Sequence, residues 1–351
     1  MPPTLCYINL TSTIPPRDAV YLKGLKENGV KIIECRDSSP SWKKFWVIFK
    51  KHRAVKNNYD ILWVGYSGHI LVPFAKLISR KKIVFNSMGS FYDGIIESRK
   101  KYGFLGLRIL YVWMIDLLAF HSANLTLVGT NVVREYIAQK FFVSKNKLVL
   151  SRTGADNAVF AYDSNTQKLP EFTVLFRGGL LPEAGIEHLI KAARILQYEP
   201  VRFKIVGFGV DSPLVAKMLK EFDSRNVDWI SDRFPQKELP DKMRECHVSL
   251  GQLSGHERQG FYIPFKIFEN MAIKIPQLIT RNSGALELLT ENETCFCCNA
   301  ADAQDLADKI LWIKNNYGAA QKVAENAYQL YLRELTPKTL AKNILDYISA
   351  I

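Results

Sequence analysis

Short apolar runs alternate along this chain with longer segments in which apolar positions recur every three or four residues. The short runs predict buried strands, and the periodic segments between them predict helices. In the first half, strands are predicted at residues 5–10, 30–34, 61–64, 82–85, 125–128 and 147–150. In the second half, strands are predicted at residues 173–176, 204–206, 227–230, 248–250 and 277–280. This alternation predicts an α/β fold with parallel sheets covered on both faces.

The length of 351 residues exceeds that of one ordinary domain, so two domains are expected. Residues 157–170 are polar and unpatterned, which places the linker there. We therefore predict a Rossmann-like first domain at 1–160, a second domain at 170–335 and a C-terminal segment at 336–351 that carries the last helix.

The segment that begins at Pro264 predicts a binding site. Pro264 suits the first position of a helix, and Lys266 and Glu269 share one face of that helix. A cation beside a helix N-terminus favours an anion, and a carboxylate one turn further can accept hydrogen bonds from hydroxyls. The pattern therefore indicates a nucleoside diphosphate. An exposed ion pair between Lys266 and Glu269 is the alternative.

Several segments appear in a characteristic order from the end of the first domain onward. They are Gly154-Ala155-Asp156 with Phe160, then Arg177–Ile186, Phe203–Gly209, Val248–Gly251, Ile263–Ala272 and Ser283–Glu287. In this order they resemble the C-terminal half of a family 4 (GT-B fold) glycosyltransferase, and the resemblance extends over nearly the whole chain.

The resemblance implies a fold and an activity. The fold would be GT-B, with two Rossmann-like doubly wound domains facing a central cleft and a C-terminal helix that packs back towards the first domain. The activity would be transfer of a sugar from a nucleotide-sugar donor to a lipid-linked or polysaccharide acceptor, with retention of configuration. No cofactor or metal is expected beyond the nucleotide-sugar itself. A degenerate protein that binds a nucleotide or a partner without catalysis is the alternative.

The resemblance also implies roles for individual residues. Lys266 would stabilise the departing diphosphate, and Glu269 would contact the ribose. The backbone at Ser283 and Gly284 would meet the diphosphate. Further donor contacts are expected from the glycines of the loops after the first two strands of this domain, which are Gly178, Gly179 and Gly209.

The chain departs from the family pattern at three positions. Gly179 and Ala184 stand where the family has an arginine and a lysine, and Phe261 stands where it has the first of two glutamates. Arg177 and Arg258 are the candidate replacements for the missing cations. A structural ion pair of Arg177 is the alternative to that role.

In the first domain, the acceptor and the reacting centre are expected after the strand at residues 82–85. Asp93 could orient an acceptor hydroxyl or take its proton. His69 is a second candidate for that function. For both residues, a structural hydrogen-bonding role is the alternative.

Positive charge is concentrated in the first half of the chain. Residues 1–150 carry 23 lysines and arginines against nine aspartates and glutamates, whereas the remainder has a net charge of −1. Around residues 41–56, an aromatic stripe of Trp42, Phe45, Trp46 and Phe49 is flanked by lysines. Two interpretations stay open, an anionic membrane surface and a stripe that packs on the sheet. A second basic cluster is Arg99-Lys100-Lys101.

Other patterns exclude or disfavour some classes of protein. The apolar run Ile109 to Phe120 is too short to span a membrane, and no recognised nucleic-acid motif accompanies the basic charge. The spacing of Cys295, Cys297 and Cys298 matches no common zinc site, and reduced thiols are expected. We therefore expect a cytoplasmic protein, peripheral at the inner face of a membrane if the lysine-flanked stripe contacts lipid, that binds no nucleic acid.

Overall fold

The computed structural model describes residues 2–97, 106–232 and 238–351. The chain forms two compact units, the first from Met1–Gly154 with Leu335–Ile351 and the second from Ala155–Glu334. The basic cluster Arg99-Lys100-Lys101 lies outside the described residues.

Six parallel strands form the sheet of the first unit, within the part of the chain that the structure describes. The strands are β1 (Thr4–Asn9), β2 (Lys31–Arg36), β3 (Ile61–Val64), β4 (Lys82–Met88), β5 (Leu125–Val128) and β6 (Leu148–Leu150). Their order is β2-β1-β3-β4-β5-β6. β3 and β5 are buried along their whole length, which is expected of parallel strands covered on both faces.

The described part of the second unit also contains a six-stranded parallel sheet. Its strands are β7 (Phe172–Arg177), β8 (Val201–Val206), β9 (Val227–Ile230), β10 (Val248–Leu250), β11 (Gln277–Thr280) and β12 (Phe296–Cys298). Their order is β12-β11-β10-β7-β8-β9. The two sheets confirm the predicted α/β class and all eleven predicted strands, and β12 is a strand that the sequence analysis missed.

Helices connect the strands and cover the sheets. They are α1 (Pro16–Glu27), α2 (Lys43–Val55), α3 (Leu71–Ile78), α4 (Gly106–Ser122), α5 (Asn131–Lys140), α6 (Ile186–Ile195), α7 (Ser212–Glu221), α8 (Leu239–Arg244), α9 (Phe265–Ala272), α10 (Ser283–Leu286), α11 (Ala303–Asn315), α12 (Tyr317–Leu330) and α13 (Pro337–Ser349). Several begin at a side-chain cap. Thr130 accepts a hydrogen bond from the backbone N–H of Val133 at 3.1 Å, and Thr336 accepts one from Thr339 at 3.3 Å.

The C-terminal helix α13 belongs to the first unit, where it packs on α1. The two helices meet at Gly24, where a side chain would collide with the backbone of Pro337. Ala341 lies beside the same position and is fully buried. Small residues thus let the two helices approach closely, and the end of the chain becomes part of the first unit.

The aromatic stripe of α2 does not pack on the sheet as a whole. Trp42 is 77 % exposed and Trp46 is 59 % exposed. The buried positions of this helix are Ile48 and His52 instead. The interpretation in which the entire stripe faces the sheet is therefore wrong for both tryptophans.

His247, at the start of β10, links folding of the second unit to pH. Its Nδ1 accepts a hydrogen bond from the backbone N–H of Thr173 at 3.0 Å, and its ring packs against Phe172 and Tyr317. Burial, with a smaller contribution from Lys168, lowers the pKa of His247 from 6.5 to about 4. The unfolded chain therefore takes up the proton first, and stability falls as the pH decreases through this window.

We predict that His247→Asn makes the melting temperature less dependent on pH between about 4 and 6.5. The amide oxygen of asparagine can accept the Thr173 hydrogen bond but does not titrate in this range. Thermal melts of both proteins from pH 4 to pH 8 measure the effect. An equally steep acid limb for the variant and the wild type would show that other groups cause the loss.

Candidate functional site

The candidate donor site lies at the carboxyl edge of the second sheet. β7 and β10 are neighbours there, whereas the chain proceeds from β7 to β8 in one direction and from β10 to β11 in the other. Such a reversal leaves a crevice beyond the strand ends, where open α/β sheets bind ligands. Arg177 is the last residue of β7, and the segments after β7, β8, β10 and β11 carry the other candidates of the second domain.

Lys266 joins the ends of β7 and β10. Pro264 caps α9 instead of occupying its first turn as predicted, so that Lys266 is the second helical residue. The Nζ atom of Lys266 donates a hydrogen bond to the carbonyl of Gly251 at 3.0 Å and lies 3.9 Å from the centroid of the Phe176 ring. The side chain is only 8 % exposed. The sequence analysis identified Lys266 but missed Phe176, whose ring face contacts the ammonium group.

The surroundings of Lys266 disfavour its positive charge. Burial is the main cause and the charge of Arg177 the second, and together they hold the pKa of Lys266 well below its usual 10.5. An ammonium group has three N–H donors, of which Gly251 takes one. A bound phosphate would offset both costs, because it supplies an opposite charge and further acceptors. The geometry therefore suits an anion.

Arg177 and Glu269 form an ion pair beside Lys266. Their side chains are 19 % and 14 % exposed. Burial lowers the pKa of Arg177 to about 10. Arg177 Nε has no hydrogen-bond partner among the described residues. Glu269 thus pairs with Arg177 and not with Lys266, and the alternative of an exposed Lys266–Glu269 pair is wrong.

The loops after β7 and β8 lie against each other, backbone on backbone. The N–H of Gly178 donates to Val206 O at 3.0 Å, and the N–H of Leu180 donates to Phe208 O at 3.1 Å. At Gly207 the φ angle is +155°, and a side chain would collide with the carbonyl of Gly178. The structure gives Gly209 a similar packing position against the backbone of Leu180.

At the two glycines after β7, an added Cβ atom would meet no backbone atom. A Cβ atom at Gly178 would point towards Lys266 Nζ at 3.8 Å, and one at Gly179 would meet only the side chain of Leu181. The absence of side chains at these positions keeps the space beside Lys266 open. This is what a loop that approaches a phosphate requires.

Arg258, in the segment after β10, contacts the segment after β7, whereas Ser283 and Gly284 connect the segments after β10 and β11. Arg258 Nη1 lies 3.8 Å from Glu183 Oε1, and its guanidinium group lies 5.1 Å from the centroid of the Tyr262 ring. Ser283 Oγ donates to Gly260 O at 3.0 Å. A side chain at Gly284 would collide with the same carbonyl. The sequence analysis did not identify Glu183 as a partner of Arg258, because the two residues are distant along the chain.

The two candidates of the first unit lie near a buried carboxylate. His69 Nε2 is 3.0 Å from Gly89 O and 3.6 Å from Asp116 Oδ1. Ser90 Oγ donates to Asp116 Oδ2 at 2.7 Å and accepts a hydrogen bond from the backbone N–H of Asp93 at 3.0 Å. Asp116 and its neighbours therefore hold the segment that carries Asp93, which is itself buried.

Asp116 is fully buried, and burial disfavours its charged form. Burial raises the pKa of Asp116, although His69 and the hydrogen bonds to its oxygens act in the opposite direction. Asp116 lies within the apolar run Ile109 to Phe120, and the sequence analysis gave it no role. A buried acid inside an otherwise apolar helix was the available signal for its structural role.

A second buried polar cluster lies at the carboxyl ends of β1, β3 and β4. Asp18 accepts hydrogen bonds from Tyr7, Asn86 and the backbone N–H of Tyr66, at 2.8, 2.6 and 2.8 Å. Arg17 donates to Asn86 Oδ1 at 2.7 Å. Arg17 and Asp18 are fully buried, and burial lowers the pKa of Arg17 and raises that of Asp18. The sequence analysis missed this cluster.

We predict that the Arg177–Glu269 pair is strongly coupled. Arg177→Met alone should cost about 3–5 kcal/mol of unfolding free energy, because it leaves a buried carboxylate without its partner. The double variant Arg177→Met/Glu269→Gln should recover most of that loss. Denaturant unfolding of the wild type, both single variants and the double variant measures the coupling. Additive single effects would contradict a buried, interacting pair.

Comparison with known proteins agrees with the architecture. Residues 161–330 match the family described as glycosyl transferases group 1. WcaL of Escherichia coli, whose name assigns it to colanic acid biosynthesis as a glycosyltransferase, is 23 % identical over 175 residues. The 2-deoxystreptamine N-acetyl-D-glucosaminyltransferase of Niallia circulans is 22 % identical over 191 residues. The matched regions cover 43 % and 47 % of these relatives, so the chain spans about half their length.

A solved structure extends the likeness to the whole chain. Anabaena HepE, in complex with UDP and glucose, has a TM-score of 0.77 and 14 % identity, covering 99 % of this chain and 100 % of HepE. HepE has also been solved with UDP-glucose. At this identity the likeness concerns the fold, and it extends over both units. The chain therefore has the GT-B fold, and its residues 161–330 match the glycosyl transferases group 1.

Proposed function

We propose that this protein is a glycosyltransferase that moves a sugar from a nucleotide-sugar donor to a lipid-linked or glycan acceptor. The observation that carries the proposal is the buried ammonium group of Lys266 at the reversal point of the second sheet, beside the second cation, Arg177. The match of residues 161–330 to glycosyl transferases group 1 supports the reaction class. The UDP-glucose complex of HepE supports the donor class.

In this proposal Lys266 binds the diphosphate and stabilises the charge that develops as it leaves. A cation in a site shielded from water acts more strongly than one in solution, and it is already in place before the reaction. The glycines at 178 and 179 let the backbone approach the same phosphates. The backbone at Ser283 and Gly284 approaches them from the segment after β11.

Arg177 takes the place of the cations that Gly179 and Ala184 cannot supply. In the structure it is paired with Glu269. A diphosphate would compete with Glu269 for the guanidinium group, and the released carboxylate could then accept hydrogen bonds from the ribose hydroxyls. Arg258, near Tyr262 and Glu183, is the second cation that could approach the donor.

On the acceptor side we propose Asp93 as the residue that orients the hydroxyl or takes its proton. Transfer would proceed with retention, without a protein nucleophile and without a bound metal, so that catalysis depends on positioning and on the cations around the leaving group. The basic first half of the chain suits an anionic lipid-linked intermediate. The name of WcaL, which refers to colanic acid biosynthesis, supports a glycan acceptor. The reaction would take place in the cytoplasm.

We predict that one nucleoside diphosphate stabilises the wild type but not Lys266→Met. A ligand at about 100 times its dissociation constant adds about 2.7 kcal/mol to the unfolding free energy, which a thermal melt detects. UDP, GDP, ADP and CMP are tested with their sugar conjugates. Lys168→Met is the matched control, because it removes a lysine from the amino side of the same sheet, where Nζ bonds the carbonyls of Arg244 and Cys246.

The outcomes separate binding from transfer. If a nucleotide stabilises Lys266→Met as much as the wild type, this lysine is not part of the donor site. A nucleotide that binds through Lys266 without sugar transfer or donor hydrolysis, across a broad panel of acceptors, would favour the degenerate alternative.

A further inference from the structure

The helix α4 of the first unit is apolar on two opposite faces. Val112, Ala119 and Phe120 are buried on the inner face, together with Asp116. On the outer face the exposed large apolar side chains are Leu107, Leu110, Tyr111, Met114 and Leu118. They recur at helical spacing, so that they form one stripe along the helix. Leu107 is 81 % exposed, which is unusual for a leucine in a stripe of this length.

The stripe continues onto the neighbouring helices. α3 packs beside α4 and exposes Leu77, and α2 exposes Trp42 and Trp46. The rings of Phe45 on α2 and Phe74 on α3 meet edge to face, with centroids 5.2 Å apart. The three helices form successive connections from β2 to β5, all progressing in one direction across the sheet. Right-handed crossovers place such helices on the same face.

We call this region the outer helical surface. It consists of Trp42, Trp46, Leu77, Leu107, Leu110, Tyr111, Met114 and Leu118.

The charged side chains that α2, α3 and α4 expose have one sign, and one of these cations, Lys51, lies 3.9 Å from Asp37 after β2. Seven cationic residues lie within α2, α3 and α4, and these are Lys43, Lys44, Lys50, Lys51, Arg53, Lys76 and Arg108. Asp116 is the one acidic residue in these described helices, and it is fully buried. The surface therefore presents apolar side chains among cations and exposes no carboxylate of its own helices.

We propose that the outer helical surface docks on an anionic lipid bilayer. Apolar side chains would enter the boundary between head groups and acyl chains, and the cations would contact the anionic head groups. Trp42, Trp46 and Tyr111 are residue types that favour this boundary. None of the described helices is long and apolar enough to cross a membrane, so the contact is with one leaflet.

A second copy of this chain fits the surface less well. A two-fold interface brings the same patch of both copies together, so it would set seven cations against seven without an exposed acid from the same helices. An anionic bilayer instead neutralises them. The inference deepens the proposed lipid-linked acceptor, but it depends only on the surface and not on transfer.

The test is flotation of the full chain with vesicles of phosphatidylcholine, with and without phosphatidylglycerol. We expect binding only to the anionic vesicles. Leu110→Gln/Met114→Gln should lower the partition coefficient onto anionic vesicles by about tenfold or more, because it removes two apolar side chains from the contact. Lys43→Gln/Lys50→Gln should weaken it by about fivefold for each lost cation. Ile195→Gln/Tyr198→Gln, at exposed apolar positions of the second unit, is the matched control and should change nothing.

Several results would overturn the proposal. They are equal binding to neutral and anionic vesicles, no binding to either kind, and binding of both test variants that equals that of the wild type. So would a dimer, observed by sedimentation velocity without lipid, that Leu110→Gln/Met114→Gln dissociates. Nucleotide stabilisation of that variant is measured in parallel, so that a folded, nucleotide-binding protein that fails to bind vesicles contradicts the docking surface alone.

Discussion

The buried charge of Lys266 is the constraint on which the candidate site depends. The fold holds an ammonium group above the Phe176 ring, with little access to water and with a second cation beside it. Such an arrangement is costly in the absence of a ligand and becomes favourable when an anion enters. The ion pair between Arg177 and Glu269 offsets part of that cost. Binding of a diphosphate would then exchange one set of charge contacts for another.

Much of the fold could be predicted because parallel strands that are covered on both faces appear in the sequence as short apolar runs. β12 was not predicted because its three residues, Phe296–Cys298, are too short a run to distinguish a strand from a loop. α2 was predicted correctly as a helix with an aromatic stripe. Its orientation was left open between two interpretations, and in the structure Ile48 and His52 face inward while Trp42 and Trp46 are exposed. Helical spacing alone defines a stripe but not which neighbour covers it.

The candidate site could be predicted as a set of positions but not as a set of contacts. Lys266 and Glu269 are three residues apart, which suggested a pair, whereas the structure pairs Glu269 of α9 with Arg177 at the end of β7. Long-range partners of this kind leave no local pattern. The same applies to Asp18, whose hydrogen-bond donors come from the strands β1 and β4 and from the loop after β3. The roles of the site residues remain predictions that binding experiments address.

The central claim is that a nucleoside diphosphate binds at Lys266, and a crystal structure of the protein with UDP tests it most directly. The account predicts a phosphate oxygen about 3 Å from Lys266 Nζ, a typical length for a charge-assisted hydrogen bond. It also predicts that the Arg177 guanidinium group turns from Glu269 towards the diphosphate. UDP bound at another edge of the sheet, or bound with Lys266 still directed only at Gly251 O, would contradict the account.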